Sequence, residues 1–160
     1  MSASTPVFVV RHAKAGRRRD WDGPDQLRPL SKAGARQASG IARLLGDRHV
    51  SRIVSSPFVR CGQTVEPLAR ALRLSVEQST ALAEGADHAE AMRLVQKVAD
   101  EPTVLCTHGD VILDLLDHLH DDGVVNGDLR LEKGSTWVLD LDCGAVTAAT
   151  YLPPPDPPGR

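Results

Sequence analysis

VFVVRHAKAG, residues 7–16, runs from four apolar residues straight into charge. Val7–Val10 shows no alternation of polar and apolar side chains, which is typical of a strand buried on both faces. Arg11 and His12 follow it directly, and Lys14 comes two positions later. The stretch therefore predicts a buried strand that carries a guanidinium and an imidazole at its carboxyl end.

The rest of the chain alternates predicted strands with predicted helices. Helices are expected from a Ser31 N-cap to Gly46, after Pro57, near His88–Ala99 and after Gly109; strands are expected at Arg52–Ser55, near Leu74–Glu77, at Thr103–Cys106, and as a hairpin of Thr136–Leu141 with Ala145–Tyr151. Such alternation implies parallel strands joined by right-handed crossovers, with helices on both faces. We therefore predict an α/β fold: a three-layer α/β/α sandwich with a mainly parallel central sheet and a C-terminal hairpin.

Length and composition indicate one domain. The 160 residues are 41 % hydrophobic and 25 % charged, which is ordinary for a folded chain and sufficient for one core. We expect residues 1–152 to form this domain and the proline-rich residues 153–160 to be a disordered tail. Residues 1–6 carry no Lys or Arg, and the apolar run that follows is too short for a signal peptide or a membrane span, so we expect a cytoplasmic protein without a membrane partner.

Composition also argues against several classes of function. A net charge of −2 and 3 % aromatic residues provide neither a broad basic surface nor base-stacking rings, so no nucleic-acid partner is expected. Arg17–Arg19 is more typical of a solvated basic loop than of a nucleic-acid site. Three widely spaced cysteines and the scattered histidines fit neither a disulfide framework nor a metal centre, so we expect no metal and no cofactor.

Residues suited to phosphate chemistry follow several of the predicted strands. Arg11 and His12 end the first strand, Arg60 begins the helix after the second, and His108 follows Thr103–Cys106. The carboxyl ends of parallel strands meet at one edge, where ligands bind. Arginine forks suit phosphate oxygens, and flanking cations disfavour imidazolium, so at least one histidine should be neutral and able to attack phosphorus. Such a site neutralises phosphoryl charge without a metal, and Lys14 is near enough to bind phosphate as well.

Four motifs, in this order, resemble the histidine phosphatase superfamily, also called phosphoglycerate mutase-like. They are RHA at 11–13, LRPLSKAGARQA at 27–38, SSPFVRCGQT at 55–64 and THG at 107–109. The resemblance implies a phosphoglycerate mutase-like fold in which His12 is the nucleophile and passes through a phosphohistidine intermediate. It also implies that Arg11, Arg60 and His108 hold the phosphoryl oxygens.

The resemblance further implies a carboxylic acid that protonates the leaving oxygen and then deprotonates the hydrolytic water. Glu84 in ALAEG, residues 81–85, matches its usual place. Such a group must be protonated at neutral pH to act as the acid. Asp87 lies close in sequence and is the alternative for the same role.

The residues after the nucleophile favour one branch of the family. The commonest pattern has Gly after the histidine, whereas RHAKA resembles the short bacterial phosphohistidine phosphatases, and between Glu84 and His108 there is room for one helix but not for a lid. We therefore expect a metal-independent phosphohydrolase that acts on phosphohistidine in proteins. Similar short domains accompany Nudix hydrolases in actinobacterial proteins, which makes a nucleoside di- or triphosphate, or another small phosphoester, the alternative substrate and a Nudix hydrolase a candidate functional link. A non-catalytic module that recognises a phosphorylated partner is the other alternative.

Overall fold

A six-stranded sheet carries helices on both faces in the computed structural model, which describes residues 4–155. The strands are β1 (Thr5–Arg11), β2 (Arg52–Ser55), β3 (Val76–Gln78), β4 (Thr103–Thr107), β5 (Thr136–Asp142) and β6 (Ala145–Leu152). The helices are α1 (Lys32–Leu45), α2 (Val59–Leu72), α3 (His88–Lys97) and α4 (Gly109–Asp121). The expected tail falls partly outside the description: Pro153–Pro155 are described, and residues 156–160 are not.

The strand order is β3-β2-β4-β1-β5-β6. The pairs β3·β2, β2·β4 and β4·β1 are parallel, whereas β5 and β6 are antiparallel additions. The predicted α/β sandwich with a mainly parallel sheet and a closing hairpin is thereby confirmed. None of the helices in the described part of the chain is both long and apolar enough to cross a membrane.

Each face of the sheet has its own core, because successive side chains of a strand point to opposite faces. On β1, Phe8 and Val10 pack towards α1 and α2, and Val7 and Val9 pack towards α3 and α4. The first core also contains Ile41, Leu45, Val65 and Leu68; the second also contains Leu105, Ile112, Leu116 and Leu119. The uninterrupted apolar run of β1 thus serves two cores at once, as expected for a central strand.

Two local expectations differ from the structure. The third strand begins at Val76 rather than Leu74, because it pairs only with β2 at the sheet edge and little apolar sequence defines its start. The inward face of α3 carries Ala91 and Val95, and the buried Val98 follows directly after the helix. The expected Val95 is buried, but the expected Met92 and Ala99 are only partly buried, and Ala99 lies beyond the end of the helix.

The start of α1 packs against the loop that follows β1. Ser31 caps the helix by accepting a hydrogen bond from Gly34 N–H at 3.1 Å, and its own N–H and hydroxyl both donate to Lys14 O. A Cβ added at Gly34 would lie 1.9 Å from that same carbonyl oxygen. Glycine at 34 therefore permits a contact that fixes the backbone two residues beyond His12.

Gly34→Ala should lower the free energy of unfolding by about 1–3 kcal/mol, the usual cost of forcing atoms into packed structure. Gly62→Ala is the matched control: it is also a helix position, but nothing lies within 4 Å of the added Cβ. Removing a helical glycine there should raise the free energy of unfolding by up to about 1 kcal/mol. Denaturant unfolding measures both, and equal changes in the two variants would contradict the proposed contact.

Candidate active site

His12 and His108 leave the same edge of the sheet from neighbouring parallel strands. In the β1·β4 register Arg11 lies beside Thr107, so each histidine is the first residue beyond its strand. The His12 N–H donates to Thr107 O at 3.0 Å, and the imidazole centroids are 5.4 Å apart. The strand register thus brings together two residues that are far apart in sequence.

The His12 imidazole is buried and neutral. Its Nδ1 lies 2.8 Å from Ala13 O, and because a carbonyl only accepts, Nδ1 carries the proton and Nε2 carries the lone pair. Burial lowers the pKa of His12 to about 3; the Ala13 hydrogen bond opposes the shift, and the charges of His108, Arg60 and Arg11 add to it. Nε2 is consequently an available nucleophile at neutral pH.

The His108 imidazole is oriented by contacts at Nε2. Ser56 Oγ lies 2.9 Å away and also accepts from Phe58 N–H, which leaves its hydroxyl proton free to donate to Nε2. The Phe58 ring packs edge-on at a centroid distance of 4.7 Å. The other ring nitrogen, Nδ1, is buried and has no partner among the described residues.

The Arg11 guanidinium lies against the start of α4. Its Nη1 donates to Leu131 O, and a Cβ added at Gly109 would lie 2.9 Å from the guanidinium carbon. Burial lowers the pKa of Arg11, and the nearby Asp110 carboxylate opposes that shift. The Nε of Arg11 is buried and unpartnered within the described part of the chain.

Arg60, on the first turn of α2, is 1 % exposed. Its outer nitrogens face Asp25: Nη1 donates to Asp25 O at 3.0 Å, and Nη2 donates to Asp25 Oδ2 at 3.1 Å. The guanidinium also stacks on Phe58, at 4.9 Å from the ring centroid. Its Nε is a third buried donor without a partner among the described residues.

These donors form an anion cradle around His12. Buried N–H groups are nearly always hydrogen-bonded, and each one left unsatisfied costs about 1–3 kcal/mol. Among residues 4–155, the buried side-chain N and O atoms without a partner are Arg11 Nε, Arg60 Nε, His108 Nδ1, Thr136 Oγ1 and Tyr151 OH. All the nitrogens in that set belong to the side chains that flank His12. An oxyanion, which has several acceptor oxygens, is the kind of ligand that suits these three donors.

Glu84 lies at the rim of the cradle and Asp87 does not. Glu84 Oε1 is 3.5 Å from Arg60 Nη2 and 3.9 Å from Arg18 Nη2, and its side chain is 41 % exposed. Asp87 instead caps α3, accepting from Ala89 N–H at 3.0 Å. Of the two carboxylates considered from sequence, the structure brings Glu84 to the arginines.

The remaining basic residues expected near the site are exposed. Lys14 projects from the loop after His12, and its own N–H donates to Gln37 Oε1 at 2.9 Å. Arg17 and Arg19 are exposed as well, and Arg18 reaches Asp25 at 3.5 Å. Within the described part of the chain, Arg18 is thus the arginine of this run that reaches Asp25 and Glu84, the carboxylates beside Arg60.

Asp25 is a site residue that the sequence analysis missed. Its carboxylate accepts from Arg28 Nε at 2.9 Å as well as from Arg60. Burial pushes the pKa of Asp25 upward, but the hydrogen bonds and charges of Arg28 and Arg60 outweigh it and leave the pKa below its ordinary value. Arg28 also donates to Gly16 O, which ties the carboxylate to the loop after His12. The motif LRPL contained Arg28, but nothing in the sequence marked its partner.

Lys133 is the second residue missed. It precedes β5, whose antiparallel register sets Thr136 beside Val10, so the amino end of β5 reaches the carboxyl edge of β1. Gly134 N–H lies 3.1 Å from Arg11 O and 3.2 Å from His12 O. The predicted hairpin was the available signal, but only the strand order shows that it pairs with β1.

Among the described side chains, no three His, Cys, Asp or Glu residues are grouped closely enough to hold a metal ion. The ionisable groups at this edge are instead imidazoles, guanidiniums and lone carboxylates. The arrangement can bind an oxyanion and offer it a nitrogen nucleophile.

Comparisons with known proteins agree with this geometry. The chain is 38 % identical over 156 residues to a protein of Mycolicibacterium smegmatis named 8-oxo-(d)GTP phosphatase, and the match covers 94 % of this chain and 48 % of that protein. The chain spans about half the length of the curated relatives it matches.

Solved structures share the phosphoglycerate mutase-like fold. The protein histidine phosphatase SixA with tungstate has a TM-score of 0.75 at 21 % identity, covering 92 % of this chain and 94 % of that one. SixA of Agrobacterium tumefaciens has a TM-score of 0.67 at 27 % identity, covering 87 % and 93 %. Residues 7–88, which contain most of β1 together with α1, β2, α2 and β3 and include Arg11, His12 and Arg60, match the model of histidine phosphatase superfamily branch 1, and the chain belongs to that superfamily.

Proposed function

We propose that the protein hydrolyses phosphoryl groups through a covalent intermediate on His12, without a metal ion. The observation that carries this proposal is the set of unpartnered buried donors of Arg11, Arg60 and His108 around a neutral imidazole. Phosphoryl transfer needs positioning and charge neutralisation more than covalent assistance. Fixed guanidinium and imidazole donors supply both.

In the proposed first step, the Nε2 lone pair of His12 attacks phosphorus. A P–N bond forms, the bond to the leaving group breaks, and the leaving group keeps that electron pair. Arg11 Nε, Arg60 Nε and His108 Nδ1 donate to the phosphoryl oxygens as their charge develops. In the second step water attacks phosphorus, the P–N bond breaks, and its electrons return to Nε2 with release of inorganic phosphate.

Glu84 is the proposed acid and base. It donates a proton to the leaving atom in the first step and accepts one from water in the second. Its Oε1 lies 3.5 Å from Arg60 Nη2, one of the groups proposed to hold the phosphoryl oxygens. Asp87 is held by the α3 N-terminus, which makes it the weaker candidate. The importance of the acid depends on the leaving group, since a good leaving group departs with little protonation.

Phosphohistidine on a protein is one proposed substrate. The chain between Glu84 and His108 forms only α3 and β4, so this segment adds no lid over the His12 edge. Without a lid from this segment, a phosphorylated side chain of another protein can reach His12, which favours phosphohistidine as the substrate. The protein histidine phosphatase SixA has the same fold as this chain, which is consistent with this substrate.

A nucleoside di- or triphosphate is the second proposed substrate. The relative from M. smegmatis is named for a nucleotide, and exposed basic residues, Lys14 and Arg17–Arg19, adjoin the His12 loop. A functional link to a Nudix hydrolase stays a prediction. A non-catalytic role in phosphate recognition is the alternative if no compound is turned over.

His12→Ala should abolish phosphate release, with a loss of about 10³-fold or more in kcat, because the nucleophile itself is removed. The assay panel holds a phosphohistidine peptide, a nucleoside diphosphate, a nucleoside triphosphate and an aryl phosphate, all with EDTA present. His120→Ala removes an exposed imidazole of α4 and is the matched control.

Wild-type turnover that survives EDTA and disappears only in His12→Ala supports the mechanism, as does an acid-labile phosphoryl label on wild type alone. Equal release by wild type and His12→Ala would contradict it. Tight phosphate binding without any turnover would indicate the recognition module instead.

Glu84→Gln should slow hydrolysis of an alkyl phosphate by about 10²–10⁴-fold, the usual contribution of a general acid. Phosphohistidine should be affected much less, because its imidazole leaves readily once protonated. Asp87→Asn is the control, since Asn caps a helix as well as Asp and removes only the charge. If Asp87→Asn slows the reaction and Glu84→Gln does not, the assignment of the acid is reversed.

The low pKa of His12 should make stability depend on pH. The folded value is about 3 and the ordinary value is 6.5, so between these values the unfolded chain binds more protons. The free energy of unfolding therefore rises with pH in that window, by at most about 1.4 kcal/mol per pH unit, and is lost as pH falls from 6.5. Urea unfolding of wild type and His12→Gln from pH 7 to 4 measures the difference.

His12→Gln should lack this component, whereas His120→Gln should retain it. An identical pH dependence in wild type and His12→Gln would show that the folded imidazole titrates normally.

A further inference from the structure

Lys133 sits on a turn that is fastened to the nucleophile loop. Gln37 bridges the two segments: its Oε1 accepts from Lys14 N–H at 2.9 Å, and its Nε2 donates to Lys133 O at 3.1 Å. Gly134, at φ +85°, packs so closely that an added Cβ would lie 3.1 Å from the Gln37 side chain. The Gln37 bridge, together with the hydrogen bonds of Gly134 N–H to Arg11 O and His12 O, thus fixes the backbone at Lys133 relative to His12.

The Lys133 side chain is exposed and lies within electrostatic range of the cations of the candidate active site. Burial lowers its pKa, and the charges of Arg11, Arg28, Arg60 and Lys14 lower it further. Neither Lys133 nor Lys14 makes a side-chain hydrogen bond or ion pair within the described part of the chain. Gathering like charges at one place is unfavourable, so unpaired cations beside a cleft point to an anionic ligand.

A groove adjoins these two lysines. It has a volume of about 500 Å³ and is lined by Lys14, Ala33, Gln37, Glu132, Lys133 and Pro153–Pro155. Glu132, the carboxylate in this lining, is paired with Arg130 at 3.0 Å. The positive charge of the lysines is therefore not cancelled by the groove itself.

We propose that Lys133 and Lys14 form a second phosphate subsite, which holds the phosphate next to the one transferred to His12. This inference rests on the proposed function and narrows its substrate to a nucleoside di- or triphosphate. The bridging P–O bond breaks as the P–N bond to His12 forms, and the leaving phosphate takes the electron pair. Lysine ammonium groups at that phosphate stabilise the negative charge it gains.

This subsite distinguishes the substrate classes by chemistry. When the terminal phosphoryl group of a nucleoside diphosphate is transferred, the leaving group is the nucleoside monophosphate. The charge that develops lies on an oxygen of its phosphate. A phosphohistidine peptide or an aryl phosphate has no second phosphate for the lysines to hold. Lys133 thus assists only the first class.

Lys133→Gln should lower kcat/KM for a nucleoside diphosphate by about tenfold or more, the usual effect of losing a hydrogen bond to a charged group. The same variant should change kcat/KM for an aryl phosphate by less than about twofold. Lys133→Arg should restore most of the loss, and Lys97→Gln, an exposed lysine on α3, is the control. Equal losses on both substrates would overturn the subsite.

A binding measurement separates this inference from the mechanism. Calorimetry compares imidodiphosphate with inorganic phosphate on wild type and on Lys133→Gln, without any turnover. Wild type should bind imidodiphosphate about tenfold more tightly or better, and Lys133→Gln should lose that preference. Failure of catalysis with this preference intact rejects only the proposed reaction, whereas equal affinities in wild type reject the subsite.

Discussion

The parallel register of three central strands is the constraint on which the site depends. Arg11 lies beside Thr107 and Ser55 lies beside Cys106, so the chain leaves β1, β4 and β2 at one level. A slip by one residue would turn each following side chain to the other face. The two separate cores oppose that slip, because every residue of Val7–Val10 is buried against one of them. Packing of the interior thereby sets the geometry of the polar edge.

The cradle gathers buried polar groups that are unfavourable for stability, and the packing of the rest of the fold offsets this free-energy cost. Arg11, Arg60 and His108 each keep one buried nitrogen without a described partner, while another nitrogen of each group contacts Leu131, Asp25 and Ser56, respectively. One side of each group is therefore committed to structure and the other stays available. Such preorganisation removes the reorganisation that a flexible arginine would need at the moment of reaction.

Local sequence patterns were sufficient for most of the fold and for the centre of the site. Apolar runs defined β1, β2 and β4. The main candidate residues all lie within a few residues of a strand end: Arg11, His12, Arg60 and His108. Because the carboxyl ends of parallel strands meet at one edge of a sheet, their proximity could be predicted. Lys133 and Asp25 could not be found in this way. Lys133 depends on β5 pairing with β1 in the antiparallel sense, and Asp25 lies in an irregular loop whose path no periodicity describes. The start of the edge strand β3 was also predicted incorrectly, because this strand pairs with one neighbour and has few apolar residues to mark where it begins.

Asp25 gives the cation cluster an internal counter-charge on one side only. Its carboxylate joins Arg28 and Arg60, and its low pKa keeps it anionic at neutral pH. Lys14 and Lys133 have no equivalent carboxylate among the described residues, since Glu132 is paired with Arg130. The positive charge at this edge of the sheet is therefore distributed asymmetrically. It is partly neutralised by a carboxylate on the side of Asp25, but not on the side of Lys14 and Lys133. In the proposed reaction, a ligand with one phosphate would occupy the cradle alone, whereas a diphosphate would also place negative charge beside Lys14 and Lys133.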